Sequence, residues 1–259
     1  MTTKVLVVDD DVLVATSVAA HLSASGHEAR AATDAAEADR TWRDWVPDAV
    51  VLDVRLPGGS GLEMLARHRR EGDATPVVLL SGLGSVDDRI LGLETGADDY
   101  VTKPFDAREL VLRVEALLRR GTFDVEPPPT RLDLGELVVD GAARTATYRG
   151  RTVELTPREF ALLHFLALQP GRPFSRGELL RRVWGWSFGD DSTVMVHVRR
   201  LRRKLEDDPA DPRLVVNLRG AGYALVLPAG ATATPTPAAT TRPPVTTPAT
   251  SAHRTGDPS

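Results

Sequence analysis

The chain has 259 residues, 42% hydrophobic and 26% charged, with no cysteine and a net charge of −4. That length suits two domains and a tail, and the lack of cysteine excludes disulfide scaffolds and thiolate metal sites. The charge is uneven, −7 in residues 1–121, +2 in 122–228 and +1 in 229–259, which suits a regulated nucleic-acid binder better than a metabolic enzyme. No apolar run approaches a membrane span and the N-terminus passes straight into a strand, so no membrane contact and a cytoplasmic location are expected.

In chain order, Lys4 to Val8 is an apolar strand and Val12 to Ser25 a helix, with Val14, Val18 and Leu22 in one row and Gly26 past its end. A weak strand follows from His27 to Ala32. Thr33 or Asp34 then caps an Ala-rich helix that stops before Pro47. Ala49 to Leu52 is a buried strand ending in Asp53 and the loop Leu56-Pro57-Gly58-Gly59. A helix from Gly61 to Arg70, a strand from Val77 to Leu80, a helix from Val86 to Thr95, a strand from Asp99 to Thr102 and a helix from Ala107 to Arg120 complete the alternation. Residues 1–121 therefore predict a flavodoxin-like, doubly wound parallel α/β domain.

Residues 122–130, with Pro127-Pro128-Pro129, form a stiff linker. From 131 to 228 the pattern changes class. Short alternating runs from Leu132 to Leu155 predict antiparallel hairpins. Thr156-Pro157-Arg158-Glu159 is a capping box opening a helix to about Gln169. Ser175 caps a second helix ending near Trp184, and Asp190 or Asp191 a third reaching about Glu206. Leu214 to Leu218 and Tyr223 to Leu227 flank the turn Arg219-Gly220-Ala221-Gly222 as a terminal hairpin. Three helices and a hairpin predict a winged helix-turn-helix, an α+β domain. Residues 229–259, rich in Ala, Thr and Pro, cannot bury a core and are expected to be disordered.

Asp9, Asp10, Asp53, Ser81 and Lys103 all follow the C-terminal ends of parallel strands, so one rim gathers carboxylates, a hydroxyl and an ammonium. Crowded carboxylates repel unless a cation joins them, and an oxygen donor set favours Mg²⁺. A lysine facing the same spot neutralises a phosphoryl oxygen, which points to phosphoryl transfer onto Asp53. In the third helix Val194, Val198, Leu201 and Leu205 share one side, and Ser192, Val196, Arg199, Arg200 and Arg203 the other. No acid occurs from Ser192 to Lys204, so the stripe has no partner within its helix and reads as a DNA-recognition face. Arg219 at the hairpin tip is a second candidate, as a wing contact to the minor groove or a phosphate, or it is simply exposed on the turn. The loop Trp184-Gly185-Trp186-Ser187-Phe188-Gly189 either packs under the helices or meets a protein such as RNA polymerase.

Together, the acidic pair, the Asp53 loop, the run Gly96-Ala97-Asp98-Asp99-Tyr100-Val101-Thr102-Lys103-Pro104-Phe105, the run Val196 to Leu205 and Arg219-Gly220-Ala221-Gly222-Tyr223 resemble the OmpR/PhoB family of two-component response regulators, over residues 4 to 228. The resemblance implies that Asp53 accepts phosphate from a sensor histidine kinase. Asp9, Asp10, Asp53 and the carbonyl of Arg55 are then Mg²⁺ ligands, Lys103 contacts the phosphate, and Ser81 and Tyr100 form the switch pair. It adds Thr193, His197 and Tyr223 to the DNA contacts, and a receiver dimer formed on phosphorylation through Arg89, Glu94, Asp98, Asp99, Glu109, Arg113 and Arg120, with promoter DNA read as direct repeats. Departures are Ser81 for the commoner threonine, glycines at 82 and 84, Arg55 where methionine is frequent, and Ala224 for a basic residue. A regulator of this fold that binds DNA without phosphorylation is the alternative. A flavodoxin-like redox protein and an aspartate-nucleophile phosphatase fit less well: the acids after the first strand repel a flavin phosphate, and Asp53-Val54-Arg55 lacks a second acid. The chain is thus expected not to be an enzyme.

Overall fold

The computed structural model describes residues 2–82, 85–118, 130–186, 192–227 and 234–237. Five parallel strands, β1 (Lys4–Val8), β2 (Glu28–Ala32), β3 (Ala49–Asp53), β6 (Val77–Ser81) and β7 (Asp99–Thr102), form a sheet in the order β2-β1-β3-β6-β7. Between β3 and β6 lie a two-residue ribbon, β4 (Arg55–Leu56) and β5 (Gly59–Ser60), and the helix α3 (Gly61–Arg70). The other helices are α1 (Val12–Ala24), α2 (Ala35–Trp45), α4 (Val86–Thr95) and α5 (Ala107–Leu118). Every residue of β3 and β6 is buried, as their unbroken apolar runs require once helices cover both faces. Leu6, Leu52 and Leu79 point into one core layer and Val7, Val51 and Val78 into the other.

The second domain opens with the antiparallel meander β8 (Thr130–Leu134), β9 (Leu137–Asp140), β10 (Thr145–Tyr148) and β11 (Arg151–Val153). Helix α6 (Pro157–Ala167) carries the capping box, with the Thr156 hydroxyl accepting from the Glu159 amide and the Glu159 carboxylate accepting from the Thr156 amide. The second helix is short: α7 (Arg176–Leu179) widens into a π-helical segment, Leu180–Trp184. Helix α8 (Ser192–Leu205) precedes the hairpin β12 (Val215–Leu218) and β13 (Gly222–Leu225). Next to its turn the hairpin is pinned by paired amide–carbonyl bonds between Tyr223 and Phe174, both 2.9 Å.

One open reading is decided and two expectations change. Trp184 and Trp186 are buried in the core of the second domain, so the packed reading of that loop holds for both; Phe188 and the caps at Asp190 or Asp191 lie outside the described residues. The strand β8 begins at Thr130, one residue inside the expected linker. Within the tail expected to be disordered, β14 (Thr234–Pro237) pairs antiparallel with β8, giving the sheet order β11-β10-β9-β8-β14.

Candidate functional site

Asp9 and Asp53 sit at the C-terminal tips of adjacent strands β1 and β3, because Val8 pairs in register with Leu52. Asp9, Asp53 and the exposed Asp10 bring one carboxylate oxygen each to within 4.8 Å of one another. Lys103, just past β7, places its ammonium 2.6 Å from Asp9 Oδ2 and 2.5 Å from Asp53 Oδ2. Burial lowers the Lys103 pKa, but its hydrogen bonds to Asp53 and Asp9 outweigh this and the net shift is upward. Burial raises that of Asp9, and the Lys103 bond only partly opposes it. A pocket in which one cation must serve two carboxylates is short of positive charge, and its donors are hard oxygens, so the residues fit Mg²⁺.

Local backbone geometry holds the pocket. The Asp9 and Asp53 carboxylates each accept the amide two residues on, from Asp11 and Arg55, at 3.1 Å. Gly61 donates its amide to the Val54 carbonyl at 2.9 Å, and a Cβ on Gly61 would fall 1.9 Å from the Asp53 carbonyl oxygen. Ser81 is buried at the end of β6, next to β3. The Arg55 guanidinium reaches to 3.4 Å from where a Cβ on Gly82 would stand, across the pocket's mouth; Leu83 and Gly84 lie outside the described residues.

The expected DNA-reading helix packs against the receiver. Val196 joins the buried cluster that contains Leu93, Ala97 and Tyr100. Arg200, also buried, donates to the Ala97 carbonyl at 2.9 Å and pairs with Glu159 at 2.8 Å. Arg199 and Arg203 both face Glu94 of α4, at 2.5 and 3.6 Å. The acid-free stripe thus finds its counter-charges elsewhere, on α4 and α6. Ser192, Thr193 and His197 are buried, Tyr223 is buried on β13 one position from the turn, and Arg219 is exposed on the turn.

The expected dimer face is covered by the same contact. Glu94 holds the arginines of α8. Asp98 is buried 3.4 Å from Arg69, and Arg113 binds Asp99 at 3.0 Å and Glu109 at 2.7 Å. The Arg113 guanidinium also lies over the Trp186 ring, 4.7 Å from its centroid. Arg89 sits half-buried on α4; Arg120 lies outside the described residues. Two further contact residues carried no signal of this role in the sequence. Arg158 of α6 donates to the Ala116 carbonyl on α5 at 2.7 Å, and Glu159, legible only as a cap, also anchors Arg200 and Lys204. Burial raises the Glu159 pKa, but these two cations outweigh it and hold it low.

His197 gives a pH dependence. Burial, then the nearby Arg200 charge, press its pKa from 6.5 down to about 3. The neutral ring is therefore retained in the fold while the unfolded chain takes a proton below pH 6.5, so this contribution to stability is present above 6.5 and lost as pH falls towards 3. Between pH 7 and 5 the loss is about 2 kcal/mol, at ~1.4 kcal/mol per unit below 6.5. Asp99 acts oppositely: burial pushes it up to about 6 despite Arg113, so its contribution is full below about 3.8 and gone above 6. Urea unfolding at pH 7 and pH 5 is expected to show the His197 share as the difference between wild type and His197→Leu; parallel pH profiles would refute it.

The receiver family model, "Response regulator receiver domain", matches residues 5–115, and "Transcriptional regulatory protein, C terminal" matches 150–225. Among solved structures, the response regulator DrrB, described as a Thermotoga maritima OmpR/PhoB homolog, is 32% identical over 87% of this chain and 100% of its own, with a TM-score of 0.47. The receiver domain of Francisella response regulator 1452 is 37% identical over 46% of this chain and 98% of its own, at 0.45. A mutant of RitR is 22% identical over 87% of this chain and 100% of its own, at 0.69, a likeness of fold. With an acidic strand-tip pocket in the first domain, an arginine-striped helix in the second and a 32% identical relative matched along its whole length, the chain belongs to the OmpR/PhoB family and is a two-component response regulator that binds DNA.

Proposed function

We propose that a sensor histidine kinase phosphorylates Asp53 and that this releases α8 from the receiver, so that the second domain binds promoter DNA. Asp9, Asp10, Asp53 and the Arg55 carbonyl would hold Mg²⁺, which supplies positive charge to the phosphoryl oxygens. Lys103, already between Asp9 and Asp53, moves its charge onto the new phosphoryl group, and Ser81 donates its hydroxyl to it. Tyr100, one strand over and in the cluster that includes Val196, carries the change to the interface. Freed of α8, the α4–β7–α5 face pairs two receivers through Arg89, Glu94, Asp98, Asp99, Glu109, Arg113 and Arg120. The paired second domains read direct repeats with Ser192, Thr193, Val196, His197, Arg199, Arg200, Arg203, Arg219 and Tyr223, and meet RNA polymerase in the cytoplasm.

One observation carries this reading: α8 and the α4–β7 surface cover each other within one chain, so an event at the receiver bears on both faces together. The test is binding to the promoter upstream of the chain's own gene, with and without acetyl phosphate and Mg²⁺. Tighter binding with phosphodonor supports the switch; equal binding supports the phosphorylation-independent alternative. Glu94→Ala removes both arginine partners without adding charge that itself attracts DNA. Exposed pairs are worth up to ~1 kcal/mol each, so unphosphorylated affinity should rise about threefold to tenfold. An unchanged affinity would count against occlusion.

A further inference from the structure

The strand β8 sends Leu132 and Leu134 into the core and leaves Arg131 and Asp133 outside. It contains no proline, and a regular, half-apolar edge strand is a template for pairing with another chain. The adjoining turn sets which backbone groups face outward. Leu134 and Leu137 flank the two-residue turn Gly135–Glu136, where Gly135 has φ 82°, so they form a hydrogen-bonded pair. Leu132 and Val139 are the next such pair by alternation, and the amides and carbonyls of Arg131 and Asp133 point away from β9.

Opposite Asp133 and Arg131 stand Thr234 and Thr236; opposite Leu132 and Thr130 stand Pro235 and Pro237. The two tail residues that own an N–H therefore occupy the two bonded positions. The prolines occupy the positions whose amides would face away from the sheet, where a missing donor costs nothing within it and offers none to a further strand. Shifted by one residue, the same tail would put both prolines at bonded positions and lose both donors.

We propose that the outer edge of β8 is a strand-binding slot filled in cis by Thr234–Pro237, and that the tail's prolines end the sheet there, preventing edge pairing with a second copy of the chain. Amide exchange is compared in the unphosphorylated full chain, a chain ending at Pro228, and Thr234→Pro/Thr236→Pro. The Arg131 and Asp133 amides should exchange about tenfold faster or more in both variants while Leu132, bonded to β9, is unchanged. Equal exchange in all three overturns the slot. Sedimentation then tests the cap. The truncated chain and Pro235→Thr/Pro237→Thr, which keeps the inner donors and regains two outer ones, should associate as concentration rises while the wild type does not. A constant mass for both overturns the capping role.

Discussion

Asp53→Asn is expected to abolish phosphoryl uptake from acetyl phosphate in the presence of Mg²⁺ and to leave the fold in place. In the proposed reaction the carboxylate oxygen is the nucleophile, and an amide oxygen of the same shape carries no charge with which to attack. Stability should stay within about 1 kcal/mol of wild type, because the substitution strands no buried charge: Lys103 keeps Asp9 at 2.6 Å, and the Arg55 amide keeps a carbonyl acceptor in place of the carboxylate. Intact-mass measurement of a hydroxylamine-labile phosphoryl adduct checks the first part and urea unfolding the second. An adduct of undiminished yield in the variant would place the acceptor elsewhere.

Gly61→Ala is expected to cost about 3 kcal/mol or more in receiver stability, beyond the ordinary range for one added methyl. The added Cβ would sit 1.9 Å from the Asp53 carbonyl oxygen and 3.0 Å from its carbonyl carbon. Those are main-chain atoms of a fully buried strand, which cannot rotate aside as a side chain can. Relief must come from moving the end of β3 or the start of α3, and either displaces Asp53 from Lys103 and Asp9. Phosphorylation should therefore slow in whatever fraction remains folded. Gly59→Ala is the control, since its new Cβ would meet only Ala35 Cβ at 3.3 Å, and about 1 kcal/mol or less is expected. Equal unfolding midpoints for the two variants would refute the close-approach argument.

The first domain was legible, and so was the gathering of Asp9, Asp53 and Ser81 at one rim, because each of these closes an apolar run. A strand buried on both faces must be apolar throughout, so the polar residue that closes it marks the sheet's rim. The Gly-rich loop announced a turn, whereas the need for glycine at Gly61 in particular comes from a backbone approach that only coordinates display. On α8 the row read as buried is buried, and the opposite row, read as a DNA-recognition face, meets the receiver in this structure. Val196 and Arg200 are covered by α4, a contact between residues about a hundred positions apart that no helical period encodes. Trp184 and Trp186 are large enough to fill a core or to mark a contact loop, and periodicity does not separate these. In the tail, composition rightly argues against a core. An edge strand needs no core, only donors at alternate positions, and Thr-Pro-Thr-Pro meets that condition.

Under the proposed function, the placement of Glu94 opposite Arg199 and Arg203 would make the acidic receiver a stand-in for nucleic acid, its carboxylate occupying guanidinium groups that would otherwise seek phosphates. Receiver and promoter would then compete for one surface, and the affinity each promoter displayed would be its intrinsic affinity scaled by the fraction of chains that are open. If the clasp is worth about 3 kcal/mol, roughly one chain in a hundred is open before phosphorylation. Strong operators would then fill from that small pool and weak ones wait for the signal, so that a single receiver would sort its target genes by operator strength into early and late responders.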